Sequence, residues 1–203
     1  YETSKGYTTW AGTQLLGSSL YDSGNGITID SSNNIYVAGV TQGGLDGNTN
    51  LGGKDIFLVK YNSSGTKQWT KQIGATNAHD GGYAVTVDSF DNIYVTGCTQ
   101  DGGSGGLDGN TSAGNDDIFL VKYNSSGTKQ WTKQFGNTSE QAGFAVVVDS
   151  SNNIYITGNT YGDLDGNTNS AGTGSDIFIS KYNSSGTKEW TKQLGTSVND
   201  YGY

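Results

Sequence analysis

The chain contains no arginine, no methionine and no proline, a single cysteine (Cys98), a single histidine (His79) and three glutamates. Each shortage removes a class of explanation. Without arginine, and with a formal net charge of −8, there is neither the basic face nor the forked guanidinium donors that nucleic acid recognition uses. One cysteine excludes an intramolecular disulfide framework. One histidine and three scattered glutamates leave almost no acid–base equipment, so no catalytic residue is assigned and a non-enzyme is expected. No stretch approaches the roughly 18 apolar residues of a membrane span. The lack of any methionine makes Tyr1 an improbable translation start, which points to a processed or trimmed piece of something longer.

What remains is glycine (33 of 203 residues), aspartate, asparagine, serine, threonine and tyrosine, with apolar residues at 32%. Those apolar residues are gathered into short β-branched and aromatic runs, which disordered chains lack. The runs recur. Asp-Ile-Phe-Leu-Val-Lys-Tyr-Asn-Ser-Ser-Gly-Thr-Lys-Gln-Trp-Thr-Lys-Gln at 117–134 appears almost letter for letter at 55–72 and 176–193, with starts 62 and 59 residues apart. A unit of that length repeated in tandem overrides any estimate of domain number from length.

Each unit offers four strands, A to D. Strand A is Gly-Ile-Thr-Ile-Asp at 26–30, Tyr-Ala-Val-Thr-Val-Asp at 83–88 and Phe-Ala-Val-Val-Val-Asp at 144–149, a pattern expected of strands buried on both faces. A tight Asx-rich turn leads to strand B, Asn-Ile-Tyr-Val-Ala-Gly at 34–39 and its copies at 92–97 and 153–158. A long glycine-rich loop precedes strand C at 55–61, 117–123 and 176–182. Asn-Ser-Ser-Gly then turns the chain into strand D, whose alternating lysines mark it as outermost. Four antiparallel strands per unit describe a β-propeller blade: all-β, three complete repeats at about 24–74, 82–136 and 143–195. Tyr-Thr-Thr-Trp at 7–10 aligns with the Trp-bearing D strands, so residues 7–15 read as a lone outer strand. The tail 196–203 reads as the start of a next repeat. A propeller opening on D and breaking off at A closes through strands from beyond residue 203 or from another copy.

Asp-Ser-Ser-Asn-Asn-Ile-Tyr-Val-Ala-Gly at 30–39, Asp-Ile-Phe-Leu-Val-Lys-Tyr-Asn-Ser-Ser-Gly at 55–65 and the Leu-Gly-Thr…Asp-Tyr-Gly-Tyr tail at 194–203 closely resemble the bacterial SBBP, or beta-propeller, repeat. The resemblance covers the chain from Tyr7 onward. It implies secreted or surface-exposed, multi-modular proteins with propellers of about seven blades, and it carries no general catalytic motif.

The strongest candidate for ligand chemistry is the loop between strands B and C. Asp163, Asp165 and Asn167 present alternate oxygen side chains followed by glycine, as half of a Ca²⁺ loop would. Asp46 and Asp108 are the matching single acids of the other copies, which lack the first carboxylate. The competing reading is a turn with positive φ at Asp-Gly. Asp30, Asp88 and Asp149, and Asp55, Asp117 and Asp176, read as turn-capping acids. Asn62, Asn124 and Asn183 stand in formal glycosylation acceptors but first of all make the hairpin turns between strands C and D. His79 reads as a surface histidine and Cys98 as an inert small residue. Repeated tyrosines fit packing between blades, with a carbohydrate-binding role as the rival. Together these features suggest an extracellular or cell-surface scaffold whose partner is a protein or a second copy of itself, with a glycan-binding, lectin-like module as the alternative.

Overall fold

In the computed structural model, residues 15–100, 106–170, 172 and 174–203 are described. The proposed outer strand at 7–15, with Trp10, lies outside the described residues except for Leu15, which is not in a strand. Twelve strands are present among the described residues: β1 (Asp22–Ile29), β2 (Ile35–Thr41), β3 (Asp55–Tyr61), β4 (Lys67–Ile73), β5 (Asp80–Val87), β6 (Ile93–Gln100), β7 (Asp116–Tyr123), β8 (Lys129–Phe135), β9 (Gln141–Val148), β10 (Ile154–Thr160), β11 (Asp176–Tyr182) and β12 (Lys188–Leu194). They form three four-stranded antiparallel sheets, β1–β4, β5–β8 and β9–β12, each in sequence order. Successive sheets meet mainly through the innermost strands β1, β5 and β9, so the blades fan out from a common axis.

The side-chain alternation of a strand is used in full in the second blade, which among the described residues has a neighbour on each face. Tyr36, Ala38, Ile56, Leu58 and Trp69 of the first blade pack on Val85, Ile93, Val95, Phe119, Val121 and Tyr123 of the second. The same positions repeat one blade later, where Tyr94, Ile118, Leu120 and Trp131 meet Val146, Ile154, Ile156, Phe178 and Tyr182. Thus the two larger core clusters are inter-blade layers, while a smaller one, Leu45, Phe57 and Val59 with Leu16, Val37 and Tyr61, lies within the first blade.

The innermost strands differ from the expectation of burial on both faces. Val85 and Val146 are 7% and 6% exposed, whereas Ile27, at the same repeat position, is 70% exposed. The reason is neighbourhood: Val85 and Val146 each face the preceding blade, and no described strand stands before β1.

Turns and loops are held by the same bonds in each copy. Asp30 Oδ1 accepts from the backbone N–H of Ser32 and Asn34, while Oδ2 accepts from Asn34 Nδ2 and Tyr36 Oη (2.8 Å each). Asp88 and Asp149 repeat this pattern with Asn92 and Tyr94, and with Asn153 and Tyr155. Burial pushes the Asp30 carboxyl up, but the hydrogen bonds from Asn34, Tyr36 and Ser32 outweigh it and hold the group below its ordinary value. At the other end, Gln72 Oε1 accepts from Leu45 N, and Gln72 Nε2 donates to Asp55 Oδ2, pinning the long loop to the outer strand. Gln134 with Asp117, and Gln193 with Asp176, do likewise.

Neighbouring blades are also tied at their turns. Ser31 donates to Asp91 and Ser89 to Asn152; Lys60 Nζ reaches Ser125 O and Lys122 Nζ reaches Ser184 O. Residues 196–203 carry no strand but repeat the entry of β5: Asp200 N donates to Ser175 O as Asp80 N does to Lys54 O, and Thr196 N donates to Asp200 as Ala75 N does to Asp80.

Candidate ligand-binding mouth

Each innermost strand carries a β-bulge at one position. The register shifts between Gly24 and Gly26, between Gly82 and Ala84, and opposite Thr157 and Gly158, leaving Asn25, Tyr83 and Phe144 unpaired. A bulge re-aims the extra side chain. It also brings the strand's backbone against its partner: a Cβ on Gly39, Gly97 or Gly158 would collide with the carbonyl oxygen of Ser23, Gly81 or Ala142. That contact is why each Ile-Tyr-Val/Ile run ends two residues later in glycine. The re-aimed residues form a column in which Tyr83 stacks on Phe144 (centroids 5.5 Å apart) and Phe144 meets Tyr203 (5.6 Å).

Two clefts open beside this column, at the end of the blades where the long loops lie. The first, about 360 Å³, lies between the first and second blades and is lined by Tyr21, Asn25, Lys54, His79, Tyr83 and Asp116, with Asp80, Cys98 and Gln100 behind them. The second, about 210 Å³, lies between the second and third blades and is lined by Tyr83, Asp116, Glu140, Phe144, Asn159 and Tyr161, with Cys98, Gln141 and Ala142. His79 is exposed at the rim, as the sequence suggests.

The chemistry of the clefts follows from burial. Asp80 is pushed up to about 6 by desolvation, with the charges of Asp55 and Asp116 adding and hydrogen bonds from Thr99 and Ala75 N opposing. Asp116 is raised by burial and then by Glu140, opposed by a hydrogen bond from Gln100. Burial pushes the Cys98 thiol up to about 12, so this cysteine, bonded to Tyr83 Oη at 3.1 Å, is an unreactive wall. Four buried side-chain oxygens have no hydrogen-bond partner among the described residues: Oδ1 of Asp55, Asp117 and Asp176, one per blade, and Oδ1 of Asn159 in the second cleft.

The residues offered as Ca²⁺ ligands lie elsewhere, in the long loops over the outer strands. Asp46 Oδ1 takes Lys67 Nζ at 2.5 Å and its Oδ2 takes Thr70 Oγ1 at 2.5 Å. Asp108 does the same with Lys129 and Thr132, while Asp165 takes both Lys188 Nζ and Thr191 Oγ1 on Oδ2. The Lys67 and Thr70 hydrogen bonds hold the Asp46 carboxyl below the usual carboxylate range. Asn167 Nδ2 donates to Leu164 O and Thr191 O, and Asp163 Oδ1 accepts from Asn169 N. Positive φ at Asp46, Asp108 and Asp165, each followed by a positive-φ glycine, gives the turn its shape. No group of three or more His, Cys, Asp or Glu side chains able to hold a metal occurs among the described residues.

Sequence reasoning took His79 and Cys98 one at a time and so passed over the clefts, which are lined by positions that change from unit to unit. Tyr21/His79/Glu140, Asn25/Tyr83/Phe144, Val40/Cys98/Asn159, Gln42/Gln100/Tyr161 and Lys54/Asp116/Ser175 are five equivalent sets whose chemistry changes from unit to unit. Members of all five line the two clefts.

Two curated proteins are similar to the chain. An uncharacterised WD repeat-containing protein of Acanthamoeba polyphaga mimivirus is 29% identical over 93% of this chain and 17% of its own length. The regulatory protein FlaEY of Caulobacter vibrioides is 25% identical over 82% of this chain and 19% of its own. The chain therefore spans less than a fifth of either protein. The family described as the SBBP beta-propeller repeat matches residues 12–46, 68–103 and 130–165, one match for each repeat. Taken with three four-stranded blades, these matches place the chain in the SBBP beta-propeller repeat family.

Proposed function

We propose that this chain is a non-catalytic propeller scaffold of the cell exterior, structural or adhesive in role, that takes up further blades of the same repeat through its third blade. One observation carries the reading. Leu58 and Leu120 are 1% and 0% exposed under the next blade, while Ile179, their equivalent in the third blade, is 40% exposed. Leu194, Trp190 and Val147 are exposed beside it, so the layer that closes both inner boundaries is laid out a third time. A face of this composition suits the leading face of another blade, from elsewhere in a longer polypeptide or from a second copy. The unreactive thiol and the one rim histidine agree with a scaffold that performs no chemistry of its own.

Sedimentation over a concentration series tests the assembly. The 203-residue chain is expected to exceed its 21.3 kDa monomer mass as concentration rises, and Ile179→Lys or Leu194→Lys to abolish the increase. A monomer at every concentration, unaffected by either change, would defeat this reading. The aromatic column at the mouth favours a second reading, a lectin-like binding module, for which saturable binding on a glycan array is the test.

A further inference from the structure

We propose that the cleft between the first and second blades binds one pyranose ring of a neutral carbohydrate. The proposal rests on the lectin-like reading and gives it a cleft and a ligand class. Polar residues stand side by side across this blade boundary. Lys54 and His79 are joined by a parallel bridge, His79 O accepts from Gln100 N (3.2 Å), and Gln100 pairs with Asp116 in the register of β6 and β7. Adjacent strands lie about 4.8 Å apart, so an ammonium, an imidazole, an amide and a carboxylate follow one another at that spacing along the cleft.

Lys54 is the independent observation. It is half-buried in the cleft wall, its Nζ lies 5.7 Å from the centroid of the Tyr21 ring, and among the described residues it makes neither an ion pair nor a side-chain hydrogen bond. An ammonium held over a ring with its three donors unspent is placed for a ligand acceptor. At the other end of the row, Asp116 accepts from the Gln100 side chain and keeps lone pairs to spare. A ligand with one sign of charge meets a like charge in this row: Lys54 for a cation, Asp116 for an anion. A sugar hydroxyl both donates and accepts, so hydroxyls of one ring can accept from Lys54 and donate to Asp116. The rings of Tyr21, 55% exposed, and Tyr83 line the same cleft and offer apolar faces to the C–H side of a pyranose. The cleft, about 360 Å³, falls within the roughly 300–1,000 Å³ of small-molecule sites.

The equivalent rows show that this chemistry is particular to one boundary. At the second, Asp116 bridges Glu140, and Tyr161, whose N donates to Glu140 O, stands where Gln100 does, so that row carries no cation. At the third, Ser175 N donates to Asn199 Oδ1 and Ser175 Oγ to Asp200 O, so the polar groups close on one another. Among the described residues, the first boundary alone sets an unspent ammonium and a carboxylate in one row. Both walls of this cleft belong to the present chain, so the inference stands without any further blade.

Titration of the full chain by NMR or calorimetry tests it, with the methyl glycosides of glucose, mannose, galactose and N-acetylglucosamine as probes and butylammonium and acetate as charged comparisons. Saturable binding of at least one glycoside, little changed by added salt, is expected. Lys54→Met, which keeps the alkyl stem over Tyr21, and Asp116→Asn should each weaken it roughly tenfold, the loss of one charge-assisted hydrogen bond. Tyr21→Ser, at an exposed position, should weaken it through loss of the ring face, and Asp163→Asn, outside the cleft, should leave it unchanged. Equal affinity for the glycoside and for an oligosaccharide ending in that sugar would support recognition of a single ring, and a gain with length would support extension onto the Phe144–Tyr203 column. No saturable glycoside binding, tighter binding of butylammonium or acetate than of any glycoside, or undiminished affinity in both Lys54→Met and Asp116→Asn would overturn the proposal. Glycan-array binding that persists in those two variants would overturn this cleft and leave the lectin-like reading standing, whereas an array without a binder would remove both.

Discussion

Gly65, Gly127 and Gly186 occupy one position of the Asn-Ser-Ser-Gly turn, with φ of 78°, 79° and 81°. Their surroundings differ. A methyl group on Gly65 would meet nothing within 4 Å. On Gly127 it would stand 2.8 Å from Lys71 Cε and 2.9 Å from Trp69 Cε2 of the preceding blade, and on Gly186 2.8 Å from Cε2 and Cζ2 of Trp131. Alanine in the left-handed region costs about 1–2 kcal/mol at each site. The loss of unfolded-state freedom offsets about 0.4–1 kcal/mol of that. Gly65→Ala should therefore destabilise by roughly 1 kcal/mol. Gly127→Ala and Gly186→Ala must also displace an indole seated on the turn, an overpacking cost of about 1–3 kcal/mol more. At about 2–4 °C per kcal/mol for a chain of this size, the two inner variants should melt several degrees below Gly65→Ala in calorimetry. Equal melting temperatures for all three would refute the claim that each tryptophan locks its blade to the next one's turn.

Asp80 gives the stability a pH signature. Its folded value of about 6 lies above the ordinary carboxylate value, so between roughly pH 4 and pH 6 the folded chain holds a proton that the unfolded chain has released. The stabilisation is complete below that window and is lost as pH rises through it, at most about 1.4 kcal/mol for each pH unit. Asp80→Asn should remove this decline in urea melts compared at pH 4.5 and 7, while identical pH dependence in both proteins would contradict it. The lowered Asp30 and Asp46 act in the opposite sense, giving stability that is lost as pH falls below about 4. Cys98 should ignore a thiol reagent at pH 8 in the native state and react once in denaturant; rapid native labelling would mean that its wall opens. Millimolar Ca²⁺ should leave the melting temperature where EDTA leaves it, since Lys67, Lys129 and Lys188 already match the loop carboxylates; a clear rise with Ca²⁺ would return those loops to the list of cation sites.

The repeat, its four strands, its turns and its outermost lysine-bearing strand were all legible in the residues, because each follows from local rules of spacing and turn chemistry. Asn62 shows how far such rules reach: its side chain accepts from Ser64 and Thr66 across the turn that Asn-Ser-Ser-Gly announces, as Asn124 and Asn183 do. The loop acids show where they stop. Asp165 and Asn167 have the spacing of a cation loop, yet Lys188 and Thr191, more than twenty residues away, claim the Asp165 carboxylate. Pairing across that distance is decided by strand register, which spacing within the loop does not encode.

By itself the amino-acid sequence determined the blade, since periodicity, turn residues and β-branched runs act over a few residues. Only the tertiary structure decided what the blades enclose. Bulges swing Tyr83 and Phe144 out of the ladder, neighbouring blades bury one copy of a residue and expose another, and positions from three loops and five strands line the first cleft. Those outcomes depend on which surfaces meet, and closely similar local sequence does not distinguish Leu120, covered by a following blade, from Ile179, which is not.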